Sequence, residues 1–319
     1  MKKVLKVLGL IVLAIIVIGG GILLYISSQD IPSYEVQKID YQLDSSPEAI
    51  KRGEKLALML CVNCHLNTDT RQLTGKRMLD APAEFGEIYS QNITQDKTYG
   101  IGDWTDGEIL YLLRTGIKRN GQYSPPYMAK LPSMADEDIN AIIAFLRSDN
   151  PMVASASVPD TAARPAILTK ILSRVAFKPF PMPTKEISLP DSNQSLLLGK
   201  YLVHNLDCFS CHSADFTTNN FLNPEKSKGY MGGGNKPLDM KGRVKLTSNL
   251  TPDKETGIGN WSKDDFIQSV KYGLVKGDQA LSYPMIPYTQ LTDHEAGAIY
   301  DYLMTVPPIK NKIVRSVYN

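Results

Sequence analysis

The sequence carries almost no excess charge: 35 basic and 33 acidic residues leave a net charge of +2 over 319 residues. Composition therefore gives no reason to expect a nucleic-acid partner or a polyanionic substrate. Cysteine is scarce. The four present stand at 61, 64, 208 and 211, all within two CxxC pairs, so none is left over for a separate structural bridge. Tryptophan occurs twice and histidine four times, which makes any regularity in their placement informative. No alternating apolar and polar run reads as a convincing strand, so the expected class is all-α.

What is there starts with the cysteines. A histidine follows each pair, giving Cys61-Val62-Asn63-Cys64-His65 and Cys208-Phe209-Ser210-Cys211-His212. These are c-type haem attachment sequences. On one helical turn this spacing puts both thiols and the imidazole on one face, so Cys61, Cys64, Cys208 and Cys211 can hold two porphyrins as thioethers while His65 and His212 reach iron. Covalent attachment lets small domains keep a bulky cofactor whose burial adds to their stability.

Lys2, Lys3 and Lys6 precede an uncharged run from Val7 to Ile26. As a helix its twenty residues would span about 30 Å, the hydrocarbon thickness of a bilayer. A cleavable signal has a shorter apolar region and a small-residue cleavage site, and neither is found here, so an uncleaved single-pass anchor is expected. Lysines on the amino-terminal side keep that end in the cytoplasm and export both haem motifs to the periplasmic face of the plasma membrane. An oxidising compartment would turn idle CxxC pairs into disulfides unless another chemistry claimed them.

The second half of the chain repeats the first. Asn92-Ile93-Thr94 with Gly100-Ile101-Gly102-Asp103-Trp104 lies 157 residues before Asn249-Leu250-Thr251 with Gly257-Ile258-Gly259-Asn260-Trp261. The cysteine motifs are offset by 147, so the second unit has ten extra residues before Asn249, and Met231-Gly232-Gly233-Gly234-Asn235 is expected to belong to that loop. After the haem motifs, one methionine pair keeps the offset of 157: Met128 in Pro125-Pro126-Tyr127-Met128 and Met285 in Tyr283-Pro284-Met285-Ile286. These are the expected distal iron ligands. The alternative for both is core packing, the usual fate of methionine. His204 and His294 have no counterpart in the other unit and are expected in core or surface roles. Trp104 and Trp261 are expected near the haem edge or in plain core packing.

Three helices per unit are expected. Ser46-Pro47 opens the one that leads to Cys61. Thr105 to Glu108 and Ser262 to Asp265 read as capping boxes, and Gly116 and Gly273 as left-handed helix ends. Ile139, Ile142, Ile143 and Leu146 form a core-facing stripe, answered by Ala296, Ile299, Tyr300 and Leu303. Residues 149 to 192 hold seven prolines and read as a linker, within which Ala166 to Ala176 has helical periodicity at Ile167, Ile171 and Val175 and is expected to dock on one domain. Val306 to Asn319 reads as a surface strap. The expected organisation is an anchor at 1–30, a first domain at 31–150, a linker at 151–192 and a second domain at 193–319.

With Gly199-Lys200-Tyr201-Leu202, the second CxxCH, Asn249 to Gly259, Trp261-Ser262 and the Met285 loop, the second unit resembles the c-type cytochrome subunits of membrane-bound alcohol, gluconate and aldehyde dehydrogenases. The first unit matches more loosely. The resemblance implies two tandem cytochrome c-like domains that relay electrons from a periplasmic dehydrogenase toward quinone or an oxidase, with redox proteins (a dehydrogenase, an oxidase or a soluble cytochrome) as partners. Three features depart from the family. Its subunits commonly carry three haems where this chain has two motifs, its ligand methionine usually lies about two residues further ahead of the last helix, and its ligand loop often reads MPY, whereas Met128 is followed by Ala129 and Met285 by Ile286.

Iron held by His65 and Met128, and by His212 and Met285, has no open position for oxygen or peroxide, which leaves electron transfer without bond-making catalysis. Methionine opposite histidine also raises the reduction potential. Two other readings compete. A diheme peroxidase needs one displaceable distal position, which the near-symmetry of the units argues against. Zinc ligation or thioredoxin-like dithiol chemistry would make the chain a binding module or redox sensor, against which stand two CxxCH motifs with no other cysteine, in an exported chain and within a duplicated framework.

Overall fold

The computed structural model describes residues 2–125 and 127–314, and it is mostly helical. Helix α1 (Lys2–Ser28) has no buried residue, and among the described residues it is the one helix long and apolar enough to cross a membrane. The remaining helices fall into two similar sets. The first comprises α2 (Pro47–Leu60), α3 (Val62–His65), α4 (Asp106–Thr115) and α5 (Asp136–Leu146). A lone helix, α6 (Ile167–Val175), stands between the sets. The second comprises α7 (Ser195–Asn205), α8 (Cys208–His212), α9 (Lys263–Tyr272) and α10 (Asp293–Leu303). The only paired strands among the described residues are two residues long, β1 (Gly86–Glu87) antiparallel to β2 (Arg164–Pro165).

The helix ends follow from local chemistry. Thr105 and Ser262 each accept from the backbone N–H three residues on, and Glu108 and Asp265 reciprocate, so both expected capping boxes form. Gly116 (φ 83°) and Gly273 (φ 76°) close α4 and α9 in the left-handed region. In the core, Ile139, Ile142 and Ile143 are fully buried on α5, as are Ala296 and Leu303 on α10. Each buried Ile or Leu side chain contributes about 1.5–3 kcal/mol.

Each set is built on one tight helix crossing. A Cβ on Gly53 would lie 1.8 Å from the Ala141 carbonyl oxygen, and one on Gly199 would lie 1.9 Å from that of Ala298. Ala141 and Ala298 are 157 residues apart, so α2 on α5 and α7 on α10 are the same contact made twice. The loops keep that register too. Ser124 N–H donates to Gly116 (2.7 Å) and Leu281 N–H to Gly273 (2.9 Å), while Leu131 N–H donates to Leu113 (2.7 Å) and Tyr288 N–H to Val270 (2.8 Å).

The structure corrects the position of the inserted loop. Gly75 N–H donates to the His65 carbonyl (2.9 Å) and Gly233 N–H to the His212 carbonyl (2.8 Å), so Gly233 is the counterpart of Gly75 and not part of an insertion. Both have positive φ. Likewise, Leu250 N–H bonds Met231 as Ile93 N–H bonds Leu73. The extra residues lie earlier, in the two short 3₁₀ turns at Phe216–Thr218 and Pro224–Lys226.

The two sets meet along a seam with twofold character. Lys55 of α2 pairs with Glu295 of α10 at 2.5 Å, and Tyr201 of α7 donates to Asp138 of α5 at 2.5 Å. Lys55 and Tyr201 each stand two residues after the crossing glycine, and Asp138 and Glu295 are 157 residues apart. Each residue thus meets the counterpart of its own counterpart's partner, the pattern of an isologous contact. Arg52 also pairs with Asp138, and Ala135 N–H donates to the Tyr201 hydroxyl.

The proline-rich segment is packed on the first set. Phe180 N–H donates to the Thr115 carbonyl, and Ile187 and Asp136 exchange hydrogen bonds. Within it α6 forms where its periodicity predicts, but with the opposite face inward. Thr169 and Ser173 are buried, while Ile167, Leu168 and Val175 are exposed. The Thr169 hydroxyl donates to the Phe85 carbonyl, which holds α6 by its polar side.

Candidate haem-attachment sites

Each CxxCH segment is a short helical turn following a longer helix. In the first, α2 passes almost directly into α3 through Cys61. In the second, one extra residue separates the crossing glycine from the first cysteine, and Asp207 absorbs it in the left-handed region at φ 60°, ψ 26°. Aspartate tolerates that region better than most side chains.

Both histidines are buried and oriented in the same way. His65 Nδ1 lies 2.7 Å from the Gln91 carbonyl, and His212 Nδ1 lies 2.8 Å from the Ser248 carbonyl. A carbonyl can only accept, so Nδ1 carries the proton and Nε2 carries the lone pair. That is the tautomer a metal-bound imidazole needs, with its second nitrogen fixed by a carbonyl. Burial also pushes the His65 pKa down, which keeps the ring neutral.

The accepting carbonyls are held by the repeated asparagines that follow them. Asn92 Oδ1 accepts from the backbone and hydroxyl of Thr94 (2.9 and 2.7 Å), and Asn249 Oδ1 does the same for Thr251 (2.9 and 2.7 Å). Asn92 Nδ2 donates to the carbonyls of Ala156 and Val158, and Asn249 Nδ2 to that of Ile309. The carboxy-terminal strap thus does for the second set what the start of the proline-rich segment does for the first; residues 315–319 lie outside the described part. Gln91 and Ser248 act through backbone atoms and leave no side-chain signal. The repeated Asn-x-Thr after each was the available clue to their place.

None of the four cysteines is in a disulfide. Burial pushes the Cys61, Cys208 and Cys211 thiols up to about 12 and Cys64 up to about 11. Thiols so placed stay protonated at neutral pH, the opposite of an activated redox dithiol. Among the described residues no group of three or more histidine, cysteine or acidic side chains is gathered as a metal ion would require. The donor set fits haem c: two thiols to bond the porphyrin edge, and one neutral buried imidazole with a fixed tautomer.

Met128 and Met285 occupy matching turns, both half-buried, between the equivalent loop hydrogen bonds described above. Ser124 Oγ donates to Met128 Sδ at 3.5 Å; Pro126, in the same loop, lies outside the described residues. Trp104 and Trp261 pack partly buried against the core. His204 hydrogen-bonds the Tyr230 hydroxyl (2.9 Å) amid Phe209, Tyr230 and Tyr302, and His294 bonds the Ser192 carbonyl (2.8 Å), so each has a partner within the protein.

One residue pair escaped the sequence entirely. Tyr283, beside Met285 in the second set, donates a hydrogen bond to Asp80 of the first. Its pKa is raised by burial, then by Asp80, and further by Cys64 and Cys211.

Residues 50–149 match the family model described as Cytochrome c. The gluconate 2-dehydrogenase cytochrome c subunit of Pantoea cypripedii is 33% identical over 233 residues, covering 70% of this chain and 51% of that protein. The cytochrome c subunit of the quinone alcohol dehydrogenase of Gluconobacter oxydans is 29% identical over 281 residues, 83% of this chain and 56% of that one. A diheme cytochrome c-type protein of Cereibacter sphaeroides is 28% identical over 263 residues, 78% of this chain and 83% of that one. The chain spans about half the length of the two dehydrogenase subunits. Residues 50–149 are thus similar to a Cytochrome c domain, and the chain as a whole resembles the cytochrome c subunits of dehydrogenases.

Proposed function

We propose that the chain is a membrane-anchored cytochrome with two haem c groups, which passes electrons on the periplasmic side as a subunit or partner of a respiratory dehydrogenase or oxidase. The observation that carries this reading is the duplicated histidine: at both CxxCH turns a buried imidazole donates Nδ1–H to a backbone carbonyl and keeps its Nε2 lone pair for iron. Haem held there supplies reversible one-electron chemistry. Cys61, Cys64, Cys208 and Cys211 would tether it as thioethers, and His65, Met128, His212 and Met285 would be the iron ligands. The two haem-bearing domains span 31–150 and 193–319, joined by 151–192. Helix α1 supplies the anchor, and the amino-terminal lysines set its direction. The likeness to dehydrogenase subunits supports a dehydrogenase as partner, and co-purification from native membranes tests it.

The test is spectroscopic. The isolated chain is expected to hold two covalent, low-spin haems, and Met128→Ala and Met285→Ala should each turn one of them high-spin or water-ligated. Unchanged low-spin spectra in both variants reject the methionine assignment, and a colourless protein rejects the whole reading. A peroxidase would instead show one high-spin haem in the unaltered chain and turn over peroxide; the comparisons do not favour it.

A further inference from the structure

We propose that α6 lies in the membrane surface, seating the first set of helices on lipid beside the point where α1 leaves the bilayer; this rests on α1 being the anchor. A helix at a water-exposed surface buries its apolar stripe and shows its polar one. Helix α6 does the reverse. Thr169 and Ser173 are 1% and 0% exposed, whereas Ile167, Leu168 and Val175 on its outer side are 42%, 39% and 71% exposed. Ile171 and Leu172 are partly buried, neither enclosed nor fully open.

The position of α6 identifies what covers this face. Lys170 Nζ donates to the Ser27 carbonyl (2.7 Å) in the last turn of α1, and Arg174 donates to the Asp30 carbonyl (2.7 Å) just beyond it. The apolar face of α6 is thereby tied to the end of the membrane-length helix, where Tyr25 is 65% exposed at the depth aromatic rings favour. Lys170, Arg174 and Lys178 give the same nine-residue helix and its exit a basic edge. Apolar side chains flanked by basic ones suit the headgroup boundary of an anionic phospholipid layer. Such seating would hold the first CxxCH site at a fixed height above the membrane, because α6 is bonded through Thr169 and Ala166 N–H to Phe85 of that set.

The test uses the full haem-loaded chain in phosphatidylcholine vesicles containing one quarter phosphatidylglycerol, with a lipid-partitioning photoactivated diazirine and peptide mass spectrometry. Peptides of α1 and of residues 164–178 should both be labelled. The second should exceed peptides bearing Leu222 and Leu274, exposed apolar side chains elsewhere, by about fivefold, and Val175→Glu should remove most of that excess. Labelled α1 with residues 164–178 at the level of Leu222 and Leu274 overturns the proposal and leaves this face to a protein partner. Unlabelled α1 overturns the anchor itself, a distinguishable failure.

Discussion

Replacing Gly199 with alanine should weaken the second set of helices, while replacing Gly297 with alanine, on the partner helix, should strengthen it. At Gly199 the new methyl would sit 1.9 Å from the Ala298 carbonyl oxygen, 2.6 Å from its carbon and 2.8 Å from Tyr302 Cβ. All three belong to α10 backbone or to an atom fixed to it, so no rotamer change relieves the clash and the helices must part. Overpacking of this kind costs on the order of 3 kcal/mol. Alanine in a helix recovers ~1 kcal/mol of backbone entropy, which leaves a net loss of ~2 kcal/mol by these two principles. At Gly297 the methyl would instead meet Lys263 Cδ at 3.3 Å, the stem of a flexible side chain, with the next atom at 3.9 Å. There the entropy gain dominates, and up to ~1 kcal/mol of stabilisation is expected. Guanidinium unfolding of the haem-loaded chain in detergent, followed by haem absorbance and by far-ultraviolet dichroism, reads both signs as midpoint shifts. A Gly199→Ala midpoint equal to or above that of the parent would refute the close α7–α10 crossing.

Other outcomes follow from the seam and the buried polar groups. Tyr201→Phe removes the acceptor of Ala135 N–H and a donor to buried Asp138, and should cost ~1–3 kcal/mol; Lys55→Met breaks the more exposed pair with Glu295 and should cost ~1 kcal/mol or less, so equal midpoint shifts in the two variants would contradict the burial difference. Burial lowers His204 to about 4, against an ordinary value of about 6.5. The unfolded chain then binds a proton that the folded one refuses, so stability is full above about 6.5 and falls as pH drops towards about 4. His204→Phe should flatten that slope in unfolding midpoints measured between pH 7.5 and 5; an unaltered slope assigns it to other groups.

The amino-acid sequence by itself determined the features that depend on near neighbours. The CxxCH turns, the capping boxes at Thr105 and Ser262, the left-handed closures at Gly116 and Gly273 and the stripe on α5 all involve residues within a turn or two of one another, so spacing alone specifies them. The repeat extended this reach by pairing Met128 with Met285. Tertiary structure decided what those elements meet. The carbonyls that orient His65 and His212 stand 26 and 36 residues away and have no side-chain signature. The inserted residues moved ahead of Met231 because only the long-range bond from Gly233 to His212 fixes the register there. The seam through Tyr201, Asp138, Lys55 and Glu295 joins positions that no periodicity connects. Helix α6 shows the same limit most plainly: its pattern revealed an apolar face at Ile167, Ile171 and Val175, but which side turns inward depends on what else is available to cover it.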